Sequence, residues 1–177
     1  METTEKIVEA YVRYVKDWAT IPNIKCPGQY EIDLLAINPV TMERYHIETT
    51  VSISSGFSKL KDEPFDPELV KQRPHQASQR RTLGYFYERK FGMPEVIETL
   101  EYYGFEEGKY SKIIVAWDAE TAVIEKAKTL DMTIWLFPDL IAEIRDEIKH
   151  GRTYFVDDTL RTIHLFDKAL KKFGRTQ

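Results

Sequence analysis

The chain has 177 residues, 42% of them hydrophobic, which is enough for one packed core and argues against a second domain. Its formal charge of −4 excludes a protein that holds nucleic acid by bulk positive charge, so any such contact must come from local clusters. The lone Cys26 excludes an internal disulfide and fits a reducing cytoplasm. No apolar run of about 18–20 residues marks a membrane span, no basic-then-apolar segment marks a signal peptide, and His46, His75, His150 and His164 are too scattered for a zinc motif.

The first helix is predicted over residues 3–18, with Thr3 or Thr4 as its N-cap. Ile7, Tyr11, Tyr14, Val15 and Trp18, at spacings of three and four, make its core stripe. Thr20-Ile21-Pro22 ends it, and a short strand over residues 21–26 precedes the turn at Pro27-Gly28. Two strands follow, over residues 30–37 and 45–53. The second alternates strictly, with Tyr45, Ile47, Thr49, Val51 and Ile53 on one face and His46, Glu48, Thr50 and Ser52 on the other. Asn38-Pro39 starts the turn between them, because proline cannot continue a central strand.

A hairpin symmetric about the Val40–Thr41 bond pairs position i with 81 − i, which sets Asp33 across from Glu48 and Glu31 across from Thr50. Like charges opposite one another destabilise a sheet. Two arrangements relieve the repulsion. A hard divalent cation such as Mg2+ can be shared by the carboxylates, or one acid turns to solvent or pairs with a nearby Arg or Lys.

Beyond the hairpin, residues 54–67 read as a polar loop carrying Lys59 and Lys61. A helical stretch from Pro67 or Pro74 to Lys90 holds Lys71, Gln72, Arg73, Gln76, Gln79, Arg80 and Arg81, a basic and amide-rich surface suited to phosphate contacts or to plain solvation. Residues 91–110 read as a helical insertion, with a helix over 95–103 and the aromatics Tyr102, Tyr103 and Phe105 as core or as a partner surface. A strand over 112–117, a helix over 119–130 and a strand over 132–137 form a unit expected to be parallel. Helices over 139–149 and 157–173 close the chain, with Tyr154-Phe155-Val156 as an edge strand between them.

The pattern EID-LLAIN, a turn, YHIETTVS, an amide-bearing helix and then KIIVAWD through TLDMTIWLF resembles the PD-(D/E)XK, or restriction-endonuclease-like, superfamily. Archaeal Holliday junction resolvases and Mrr-type restriction enzymes are the members it is most similar to. The resemblance implies an α/β fold with an αβββαβ core over about residues 5–149, a helical insertion at 91–110 and a C-terminal helical extension at 150–177, all in one domain. It implies Asp33 and Glu48 as ligands of Mg2+ or Mn2+, with the carbonyl of Thr49 contributing and Glu9 as a further carboxylate. Metal ions of such enzymes polarise the scissile phosphate and generate the attacking hydroxide.

The motif lysine two residues after the glutamate is replaced by Thr50, whose hydroxyl cannot supply its charge. Either a neighbouring group takes that role, with Gln76, Gln72, Gln79, Lys59, Lys61 and Lys71 as candidates, or the site is degraded. The expected activity is a metal-dependent DNA endonuclease whose basic residues Lys59, Lys61, Lys71, Arg73, Arg80 and Arg81 track phosphates. The alternative is a nuclease-like domain that binds nucleic acid or serves assembly without cutting; outside the superfamily, Asp33 and Glu48 would be structural acids of an ordinary α/β domain. A cytoplasmic protein, DNA as partner and a homodimer complete the expectation, the last by analogy alone.

Overall fold

The computed structural model describes residues 2–53, 58–72, 76–150 and 157–174. The first helix, α1 (Thr3–Tyr14), is started by Glu2 and not by a threonine: the Glu2 side chain takes the backbone N–H of Glu5, and the Glu5 carboxylate accepts from the Glu2 N–H at 2.8 Å. Strands β1 (Ala19–Lys25), β2 (Glu31–Ile37) and β3 (Arg44–Thr50) follow in antiparallel succession. Asn38 organises the β2–β3 turn, its Oδ1 accepting from the N–H groups of Val40 (2.9 Å) and Thr41 (3.3 Å).

After a two-residue strand β4 (Lys59–Leu60), the helix expected to reach Lys90 is broken into pieces: α2 (Pro67–Val70), α3 (Gln76–Gln79), α4 (Leu83–Tyr85) and a π-helical turn over Phe86–Lys90. The physical reasons are local. Thr82 starts a new helix by accepting from the Tyr85 N–H at 3.1 Å. Gly84 lies so close to the chain at Phe65 that a Cβ on it would stand 2.3 Å from the Phe65 nitrogen. The Phe91 N–H then reaches back to the Phe86 carbonyl at 2.9 Å, which widens the last turn.

Helix α5 (Pro94–Tyr102) leads to β5 (Ser111–Ala116) and to β6 (Asp118–Ala119), which pairs with β4. Helix α6 (Thr121–Thr129), β7 (Met132–Leu136), α7 (Phe137–His150) and α8 (Asp158–Gly174) complete the order. The sheet runs β1-β2-β3-β5-β7, antiparallel in its first half and parallel from β3 onward. The fold is therefore a mixed α/β sheet flanked by helices, with further helices at the C-terminal end. The edge strand expected at 154–156 lies outside the described residues.

Alternation along β3 and β5 decides which helices cover which face. Ile47, Ile113 and Val115 pack with Leu34 under α1, α7 and α8, against Val8, Tyr11, Leu140, Ile144 and Leu160. On the opposite face, Ile114 and Ala116 pack with Leu83, Phe86, Phe91 and α6, while Ile24, Ile32 and Leu35 pack with Val96 and Leu100 of α5 and with Phe105. Each such fully buried aliphatic side chain contributes about 1.5–3 kcal/mol. Tyr102 is exposed, so of the aromatics near α5 it is Phe105 that enters the core. Among the described residues, no helix is long and apolar enough to cross a membrane.

Candidate functional site

The hairpin register places the site. Leu34 pairs with Ile47, Leu35 with His46, Ala36 with Tyr45 and Ile37 with Arg44, the 81 − i register throughout. The paired residues stop at Leu34 and Ile47, and the next positions are Asp33 and Glu48. There side chains bridge the strands: the Thr49 N–H donates to Asp33 Oδ2 at 2.7 Å, and the Asp33 N–H to Glu48 Oε1 at 3.4 Å. Packing marks the same break. Ile32 and Leu35, three residues apart, belong to one cluster, whereas Leu34 and Ala36 face the other. Opposite this point Asn23 of β1 has a φ of +61°, and the Asn23–Asp33 rung is missing from a β1–β2 register that is the same on either side of it.

Both carboxylates point to the face covered by the π-helical turn, and Lys90, its last residue, reaches them. Its ammonium lies 3.3 Å from Asp33 Oδ1, makes a close ion pair with Glu48 Oε2 and donates to the Glu31 carbonyl at 3.2 Å. Glu48 is wholly buried and Asp33 nearly so. The other Glu48 oxygen meets His46 Nε2 at 2.8 Å. The His46 ring is itself fully buried, edge-on to Phe91 with centroids 4.7 Å apart, and its Nδ1 has no hydrogen-bond partner among the described residues.

Burial is the main cause of the electrostatics here. It pushes Asp33 up to about 7, with the Glu48 charge adding to the rise and Lys90 and the Thr49 N–H opposing it. Burial likewise raises Glu48 to about 7 against the pull of Lys90. His46 is driven down to about 3, by burial first and then by the Lys90 charge. It is therefore neutral at ordinary pH, and the network assigns its proton to Nε2, where it donates to Glu48. For Lys90, burial works against the charge, but Glu48 and Asp33 outweigh it and the value is raised.

The remaining expected residues are dispersed. Thr50 pairs with Ala116 and shares the Glu48 face by alternation. Glu9 sits on α1, on the other side of the sheet; it accepts from Thr20 Oγ1 at 3.2 Å, pairs with Arg13 at 3.5 Å and lines a cavity of about 170 Å³ with Lys6, Arg13 and Asp157. Among the described residues, no group of three or more His, Cys, Asp or Glu side chains is placed to hold a metal ion. Gln79 is buried and accepts the Asp66 N–H at 3.0 Å, a loop-fixing role. Lys59 pairs with Asp118 (3.5 Å), Lys61 with Glu63 (3.6 Å) and Lys71 with Glu68 (2.7 Å). Arg80 is exposed, and burial lowers Arg81. Arg73 and the side chain of Gln76 lie outside the described residues.

Lys90 is the residue that spacing rules miss, because it arrives from a turn far along the chain. The signal that could have found it is chemical: two facing buried acids demand a cation, and the chain places Arg89-Lys90 directly before the core residue Phe91. One ammonium touching both carboxylates shows that the two acids turn toward the same side of the sheet.

No family model matches the chain, and no curated protein matches it. Among solved structures it is similar to the crystal structure of a protein of unknown function, AF1548, with 12% identity over 84% of this chain and 77% of that one, at a TM-score of 0.43.

Proposed function

We propose that the chain is a nucleic-acid-binding domain of nuclease-like architecture whose Asp33–Glu48–Lys90 centre rests in a closed, charge-compensated form. The order of elements and the two facing acids support the nuclease-like part by analogy of fold and motif. The observation that carries the closed form is the Lys90 ammonium lying between the two carboxylates, with Glu48 having no exposure. Such a centre keeps two acids side by side while the protein's own cation answers their charge.

The test is fluorescence anisotropy with labelled single-stranded, duplex and branched oligonucleotides in EDTA, followed by incubation with Mn2+. The expected result is binding that weakens steeply with salt, without strand cleavage. Absence of binding to every substrate at about 50 mM salt removes the reading.

A second reading, Mg2+-dependent phosphodiester hydrolysis, is favoured by the same lysine. Lys90 brings to the acids the positive charge that Thr50 lacks, from another element. Asp33, Glu48 and the Thr49 carbonyl would hold a divalent ion, which would supply polarisation of the phosphodiester. In that case Lys90 serves to stabilise charge on the attacked phosphate. Nicking with Mn2+ that disappears in Glu48→Gln selects this reading over the first.

A further inference from the structure

Next to Lys90, the guanidinium carbon of Arg89 lies 5.5 Å from the ring centroid of Tyr30 and 5.8 Å from that of Phe65. Cation–π contact with two rings fixes the side chain without using its N–H donors in an ion pair. The lysines expected to track phosphates differ: Lys59, Lys61 and Lys71 each face an acidic neighbour. Arg89 is thus a pre-positioned, partly buried fork of donors with no carboxylate answering it among the described residues.

Its place in the fold is what gives it meaning. Tyr30 precedes Glu31, whose carbonyl accepts from Lys90, so residues 30–31 and 89–90 lie side by side next to Asp33. A guanidinium with free parallel donors matches the paired oxygens of a phosphodiester, and immobilising it beforehand lowers the entropy cost of that contact.

We infer that Arg89 is a backbone-phosphate contact, held by Tyr30 and Phe65, that seats one phosphodiester of a nucleic-acid strand on the surface beside the Asp33–Glu48–Lys90 centre. The assignment rests on the nucleic-acid-binding reading above but on neither metal nor catalysis. A phosphate contact positions the strand without reading its sequence, so the effect is uniform across sequences.

The experiment measures oligonucleotide affinity in EDTA across a salt series for wild type, Arg89→Met and Arg89→Lys, with Lys71→Met as an ion-paired comparison. Arg89→Met keeps an unbranched stem against the rings and removes the charge. Its affinity is expected to fall about 3- to 10-fold at low salt, and its slope of log affinity against log salt to shrink by about one phosphate's worth. Arg89→Lys is expected to retain most of the slope while losing affinity, and Lys71→Met to change both less than Arg89→Met. Should Arg89→Met fail to fold, loss of affinity in folded Arg89→Lys together with a shift of the wild-type Arg89 Nε–H resonance on adding oligonucleotide supports the assignment. An unshifted resonance overturns it. Wild-type binding with an unaltered slope in Arg89→Met overturns the Arg89 contact and leaves the binding reading standing; absence of wild-type binding overturns both.

Discussion

The ammonium of Lys90 and the carboxylate of Glu48 meet inside the protein, one from the end of a π-helical turn and the other from the middle of a sheet. Glu48 is fully buried, and among the described residues its oxygens are answered by this lysine, His46 and the Asp33 N–H. Replacing Lys90 by Met therefore leaves a buried acid pair uncompensated. The expected loss is about 3–5 kcal/mol in urea unfolding, the range for breaking a buried ion pair from one side. Lys90→Met combined with Glu48→Gln is expected to recover part of it, so the double-mutant cycle is strongly non-additive. Additive losses would mean that the two groups are independent.

The pH dependence of stability follows from the same burial. Burial holds Asp33 and Glu48 at about 7 in the folded chain, against ordinary values of 3.8 and 4.5. A raised acid binds its proton more tightly in the fold, so its contribution is complete below the unfolded value and is lost as pH rises through the folded one. Lys90 is raised too, and its contribution persists throughout this range, fading only above ordinary lysine values. His46 works in the opposite sense: with a folded value of about 3, its contribution is present above 6.5 and is lost as pH falls. Between about pH 5.5 and 8.5 wild type is expected to lose roughly 2 kcal/mol relative to Glu48→Gln. Parallel curves for the two proteins in urea titrations would contradict a raised Glu48.

Divalent metal supplies a third test, because Lys90 lies where a bridging ion would go. In thermal melts with millimolar Mn2+, wild type is expected to shift little. Lys90→Met is expected to gain about 3 °C or more by mass action, and Lys90→Met with Asp33→Asn to gain nothing. A large wild-type shift abolished by Asp33→Asn would show that metal displaces the lysine readily, favouring hydrolysis.

Gly84 tests the local reason for the broken helix. A Cβ there would meet backbone, 2.3 Å from the Phe65 nitrogen and 2.8 Å from the Pro64 Cα. Since neither neighbour is a flexible side-chain tip, Gly84→Ala is expected to cost about 1–3 kcal/mol despite alanine's better helix propensity. Unchanged stability would show that the 64–65 loop yields freely.

The strands were legible in the sequence because each carried its own pattern. The period-2 run from Tyr45, with Asn38 opening the turn, fixed a register that the structure reproduces pair by pair. The register also pointed to the two acids as neighbours, but the paired rungs end one step short of Asp33–Glu48 and do not reach Glu31–Thr50, and side chains make the link there. What escaped was whatever depended on tertiary geometry. The π-helical turn has no periodic signature, and Lys90 at its end looked like the last residue of a solvated basic helix. Glu9 sits on a helical face next to the core stripe, and only packing decides that α1 lies across the sheet from Asp33. The notion of one long basic helix failed where Thr82 and Gly84 answer to neighbours distant in sequence.

Where β2 and β3 part, the amide of Thr49 is held by a carboxylate of Asp33 in place of a main-chain carbonyl. Its solvent exchange is thereby tied to one side chain's ionisation, so this single proton becomes an internal indicator. Deuterium uptake at Thr49 will quicken when Asp33 is neutralised or shortened, while the amides of the flanking rungs keep their pace.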